Sequence, residues 1–304
     1  MKTLFTLSTL IFYASVAHAV ISLTSPTSVF RELSLNGDSD PYADNQANRT
    51  DIELVGDAGL GLSAFYFGFN DHGNTSNQDG DLFFRVRVAG ESGSPDGVLN
   101  GYVTVGFDVE SDGVMDYYVR HGANLTGNDQ QIAIFDASAT AANNSPVSIE
   151  LGSQRYITGN VTAMNSQFRD VDDVTIGDTF SNTVYSRTTS PILYTERDID
   201  GLGDTDKFLT FSFAFDELVQ IIQADYIGTP YAGFNDQSTL SLILSTSQNS
   251  NNINSDIAGR DGVTSDPFIP GGGITDPIQV PEPSTAALIA AVFIFGFVSA
   301  RRHR

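Results

Sequence analysis

Cysteine is absent from the 304 residues. Disulfides, thiolate nucleophiles and Cys-ligated zinc are thereby excluded, and the fold has to stand on its hydrophobic core. Tryptophan is absent too, so an aromatic platform for a sugar ring would fall to tyrosines such as Tyr102, Tyr117 and Tyr118, which could equally serve as core or hairpin pairs. Lysine is nearly missing, with Lys2 and Lys207 the only two, and away from the ends histidine occurs only as His72 and His121, in unrelated settings. There is no HExxH helix, no GxSxG nucleophile elbow and no phosphate-cradling glycine loop, which removes metalloprotease and lipase readings. A glycosidase needs two carboxylates, but no spacing argument joins any pair among Glu110, Glu150, Glu196 and Glu217.

What is present is core material and acid. Hydrophobic residues make up 40%, with 21 Phe and 11 Tyr, a balance that suits a folded β-rich body. The length allows one large domain or two small ones. The net charge is −22; residues 1–19 contribute +1 and residues 281–304 contribute +2, which leaves −25 on the body. Such a polyanion repels nucleic acid and anionic lipid, so neither is expected as a partner. Within the body Asp outnumbers Glu by 29 to 7. Solubility requires acid but no preference for Asp, whereas short carboxylates among Gly and Asn are what a calcium loop uses.

The two ends describe a route. Residues 1–19 carry Lys2, an apolar run from Leu4 to Val16 and the small-x-small triplet Ala17-His18-Ala19, the pattern of a signal peptide cleaved after Ala19. The run is too short to span a bilayer, for which about 20 residues are needed. At the other end Thr285 to Ala300 forms an apolar stretch of 16 residues, or about 24 Å of helix, followed by Arg301, Arg302 and Arg304. The positive-inside bias leaves those arginines in the cytoplasm and the body outside, in agreement with the signal peptide.

Val280-Pro281-Glu282-Pro283-Ser284, then the short apolar helix, then the arginine cluster at the extreme C-terminus resembles the PEP-CTERM sorting signal of bacterial exoproteins. The resemblance covers about 25 residues and implies that Pro281, Glu282 and Pro283 are recognised by an exosortase, an integral-membrane transpeptidase-like enzyme that removes the tail. It also implies signal peptidase and the Sec translocon as partners, transient insertion in the inner membrane, and a final place at the cell envelope, the surface or outside. The prolines suit this role, since they keep the segment extended where a helix would hide its backbone.

Between the ends the chain reads as short strands. Leu82, Phe84, Val86 and Val88 share one face of a half-buried strand whose other face carries Arg85 and Arg87. Val103, Val105, Phe107 and Val109 alternate in the same way, as do Leu209, Phe211, Phe213 and Phe215. Shorter candidates are 64–69, 132–135, 147–151 and 240–244. One helix is expected over 217–225, with Leu218, Ile221 and Ile222 at helical spacing and Asp216 as its cap, closing one end of the fold. The expectation is an all-β, antiparallel β-sandwich or jelly-roll-like single domain over 20–268, a flexible Gly/Pro linker over 269–280 and the sorting signal over 281–304. Four segments, 80–88, 107–119, 198–215 and 245–259, are similar in order to a recurrent body type among PEP-CTERM exoproteins, a likeness that implies no activity.

Two acidic groups are candidate calcium sites. Asp108, Glu110, Asp112 and Asp116 stand at positions 1, 3, 5 and 9 of a loop with Gly113 at position 6, the front half of a calcium loop. Position 12 is Val119, which excludes an EF-hand. Asp112-Gly113 between two alternating runs is also a hairpin turn signal, and the two uses can coexist. Asp198, Asp200, Asp204 and Asp206 form the second group, where mutual repulsion would be relieved by a divalent cation or by solvent. A looser third group is Asp71, Asn74, Asp79 and Asp81. The expected function is a non-enzymatic, calcium-stabilised surface or matrix protein associated with extracellular polysaccharide. The alternative is a carbohydrate-binding module or polysaccharide-acting hydrolase.

Overall fold

Alternation of period two becomes paired strands wherever two runs can share one apolar face. The computed structural model describes residues 21, 30–33, 50–57, 62–72, 78–90, 101–123, 130–137, 149–157, 166–170, 198–199, 206–250, 252–259 and 275–280. All of them belong to one compact unit. The segments read above as a signal peptide and a sorting signal, 1–19 and 281–304, lie outside the described residues.

The elements run in the order β1 (Arg31–Glu32), β2 (Phe65–Asn70), β3 (Asp81–Val88), β4 (Tyr102–Asp108), β5 (Tyr117–Ala123), β6 (Gln130–Ala137), β7 (Ile149–Ile157), β8 (Ser166–Asp170), β9 (Lys207–Ala214), α1 (Phe215–Asp225), β10 (Thr239–Ser247), β11 (Asn252–Ile253), β12 (Asp256–Ile257) and β13 (Ile278–Gln279). One sheet has the order β1-β2-β3-β9-β8, and the other β11-β7-β6-β5-β4-β10-β12, with β13 also paired to β10. Every pairing is antiparallel. The body is therefore all-β and two-layered, as the strand patterns predict, with β4 to β7 running as a meander inside one sheet.

The main core lies between the sheets. Leu82, Phe84, Val86 and Val88 of β3 and Leu209, Phe211 and Phe213 of β9 meet Val103, Val105 and Phe107 of β4 and Leu240, Leu242 and Leu244 of β10. His121 joins this layer, fully buried, with its ring 5.1 Å from that of Phe211. The outer faces are not simply wet. Phe30, Tyr66, Phe83 and Phe208 form a second buried cluster on the outside of the five-stranded sheet. Met115, Tyr118, Ala133, Phe135, Ile243, Ile253 and Ile257 form a third on the other sheet.

Three expectations are corrected here. Arg85 and Arg87, placed by alternation on a solvent face, are 0% and 1% exposed because the Phe30–Phe208 cluster covers that face. The helix begins at Phe215, its N-cap is Ala214 without a side-chain cap, and Asp216 stands in the first turn beside Glu217, where negative charge suits the helix dipole. Residues 275–280, assigned above to the linker, belong to the body: β13 pairs with the start of β10, and Ile278 and Val280 are buried in the main core. A strand of two residues carries no periodicity, so its neighbouring glycines and prolines dominate the sequence pattern.

Helix α1 carries the chain from the end of β9 in one sheet toward β10 in the other, and buries Phe215, Leu218, Val219 and Ile222. Its far end is tied down by charge. Asp225 accepts the Tyr117 hydroxyl at 2.9 Å and two Arg155 nitrogens at 2.8 Å each, while Arg155 also holds Asp136 at 2.7 Å. The Arg155 hydrogen bonds, opposed by partial burial, hold the Asp225 carboxyl below the usual range. The helix thus closes the end of the sandwich where the β4–β5 hairpin turns.

Candidate functional site

The first acidic loop is the β4–β5 hairpin. Asp108 ends β4 and is 1% exposed. Its Oδ1 accepts the Asp112 amide at 3.2 Å and its Oδ2 the Gly113 amide at 2.8 Å. Asp112 Oδ1 accepts the Val114 amide at 2.9 Å. Asp116 Oδ2 accepts the Val109 amide at 2.7 Å, and its Oδ1 accepts the hydroxyl of Tyr226, just past α1, at 2.6 Å. Burial pushes the Asp108 carboxyl up, and the amides of Gly113, Asp112 and Ser111 pull it back. Gly113 has φ +87° and Ser111 +55°, left-handed positions that the tight turn requires.

The 1-3-5-9 spacing is thus used by the loop on itself. Short carboxylates close Asx-type turns by accepting the amides a tight hairpin leaves unpaired. Glu110 and Asp112 are the exposed members; partial desolvation and then the charges of Asp116, Asp112 and Asp108 raise the Glu110 carboxyl. Substituting Asp108→Ala is expected to cost about 1–3 kcal/mol in thermal or urea unfolding, because the Asp112 and Gly113 amides of the turn lose a charged acceptor. Melting after chelation, with and without millimolar calcium, tests whether the same carboxylates also serve a cation, and an unchanged midpoint would exclude it. An upward shift with calcium would show that the carboxylates turn outward to a cation.

The second acidic group has a different use. Asp206, 0% exposed and just ahead of β9, sits 2.7 Å from both Nε and a terminal nitrogen of Arg87 and also accepts the Ile199 amide at 3.3 Å. Asp198 is 3% exposed. Asp200 and Asp204 lie outside the described residues. Next to this pair, Arg85 Nε donates to Thr210 Oγ1 at 2.9 Å, and its guanidinium lies 4.1 Å from the centre of the Phe30 ring and 5.5 Å from that of Phe208. Burial pulls the Arg85 guanidinium down to about 9, opposed by Tyr66. The carboxylate proposed for a cation by its spacing is therefore the counter-ion of a buried arginine.

In the third group Asp81 lies 2.8 Å from His72 Nε2, and Asn74 is outside the described residues. Asp71 and Asp79 add their charge to the burial that raises Asp236. Among the described residues no three His, Asp or Glu side chains are grouped so as to hold a metal ion. The described carboxylates of both predicted calcium groups do not come together as a coordination set.

The tyrosines named for sugar binding divide. Tyr117 and Tyr118 are 3% and 2% exposed and belong to the cores, while Tyr102 is half-buried with the Arg120 guanidinium 5.1 Å from its ring centre. A pair the sequence did not single out stands beside the hairpin: Tyr226 and Tyr231, half-buried, have ring centres 5.6 Å apart at 67°. Their chain neighbour Ile227 is 79% exposed. A tyrosine-rich turn after the helix was the available signal.

The 245–259 segment is a fastener. Asp256, 0% exposed, accepts the Leu54 amide at 2.7 Å, Thr246 donates to the Ile52 carbonyl at 2.6 Å, and Ser247 donates to Asn254 at 2.7 Å. Thr246 and Asp256 tie the 50–57 segment to the end of β10, and Ser247 and Asn254 hold the turn after β10 to itself. No protein-family model, curated protein or solved structure matches the chain.

Proposed function

We propose that the chain is an exported surface or matrix protein of structural type, carried out by its N-terminal leader and released from a C-terminal apolar handle by processing at Pro281-Glu282-Pro283. The observation that carries this reading is the order of the tail: the proline-flanked glutamate, 16 apolar residues, then Arg301, Arg302 and Arg304. The marginal length of the apolar run supports a temporary handle over a permanent anchor. The junction with the body supports it as well, since Val280, the last of the described residues and buried in the core, directly precedes Pro281.

Signal peptidase, the Sec translocon and an exosortase are the partners along this route, and extracellular polysaccharide is the partner of the released body. Half-buried Tyr226 and Tyr231 supply the aromatic surface such a polymer would use. Deleting the exosortase, or replacing Pro281, Glu282 and Pro283 by alanine, is expected to leave an uncleaved chain in the membrane fraction. Normal maturation in both cases would refute the proposal.

A further inference from the structure

The segment 275–280 is held at both ends, at Thr275 and over Ile278–Val280, with Asp276 and Pro277 exposed between them. The Thr275 amide donates to the Leu242 carbonyl at 2.9 Å, and the Leu242 amide donates to Thr275 Oγ1 at 2.9 Å. Ile278 stands opposite Leu240 and Gln279 opposite Thr239. The Val280 amide donates to the Ser238 carbonyl at 3.3 Å, and Gln279 Nε2 reaches the Gln237 side chain at 3.2 Å. Thr275, Ile278 and Val280 are 4%, 1% and 0% exposed.

An enzyme that cuts a chain must draw several residues into its own cleft in extended form, pairing with their backbone. The backbone is engaged at Thr275 and again over Ile278–Val280, and the Ile278 and Val280 side chains are in the core, so a cleft that needs several extended residues cannot take this segment without pulling it out. We infer that Thr275–Val280 is a clasp that sets the upstream limit of C-terminal processing: the cut falls beyond Val280, and β13 stays in the released body. This rests on the processing reading above. The step breaks one peptide bond: the carbonyl at the new end of the body passes to an amine acceptor, or to water to give a carboxyl terminus, and the downstream segment leaves as a free amine.

The test is the intact mass of the mature protein from producing cells, for the wild type, Ile278→Asp and Ile278→Val, together with their melting midpoints. The wild type and Ile278→Val end at residue 280 or later and melt together. Ile278→Asp places a charge in the core, melts about 10 °C lower and gains ends upstream of 280. If Ile278→Asp does not accumulate, Ile278→Ser provides the same comparison with a smaller shift. A wild-type end upstream of Val280, or an Ile278→Asp chain with the wild-type end and midpoint, overturns the inference. A wild type retained through Arg304 overturns the processing reading and the cut limit with it, while the melting of Ile278→Asp against Ile278→Val in that uncut chain still decides the clasp.

Discussion

Replacing Asp206 by alanine is expected to destabilise the body by about 3–5 kcal/mol, because it leaves the Arg87 guanidinium 1% exposed and without this carboxylate. In a chain of this size that is roughly 10 °C in melting midpoint. Replacing both partners by apolar residues of similar volume, Arg87→Met with Asp206→Leu, should recover most of the loss, since the cost lies in the stranded charge and much less in the missing contact. Urea unfolding of both single variants and the double variant forms the cycle. An Asp206→Ala protein as stable as the wild type would mean that Arg87 reaches water and that the outer face of β3 is open.

Phe84→Ala is expected to be as severe, at about 3–5 kcal/mol, for a different reason. Phe84 is 0% exposed in the central strand of its sheet. Its ring lies 5.4 Å from Phe211, 5.7 Å from Phe67, 5.9 Å from Phe65 and 6.1 Å from Phe213 within that sheet, and 6.0 Å from Phe107 across the sandwich. Removing it opens a cavity lined by five rings that are themselves fixed by backbone pairing, so the site cannot collapse. Phe84→Leu should lose markedly less. Equal midpoints for Phe84→Ala and wild type would show that the two sheets do not depend on this stack.

Much of the fold was legible because strand faces are a local code. In β3, β4 and β9 the residues that face the main core stand two positions apart, as alternation predicts, although the opposite faces are covered as well. The turn between β4 and β5 was legible in Asp112-Gly113, and the helix in its 3.6-residue spacing, to within two residues at its start. The two-residue strands were not legible, because two positions cannot express a period.

The candidate site was legible as a set of residues, while the partners that its carboxylates take were not. The spacing of Asp108, Asp112 and Asp116 fits a cation loop and a self-capped hairpin equally well, and the choice depended on Tyr226, a residue 110 positions away that takes one Asp116 oxygen. Asp206 stood among carboxylates in sequence, yet its partner is 119 positions away in β3.

By itself, then, the sequence determined the strand faces, the hairpin, the single helix among the described residues and the excess of acid, since each is written within one element or in composition. Only the tertiary structure decided which charges are buried, what the acidic loops hold and that residues 275–280 belong to the body. Burial is set by the partner that covers a face, and here those partners arrive from distant parts of the chain: Phe208 over Arg85, Asp206 on Arg87, and Leu242 against Thr275.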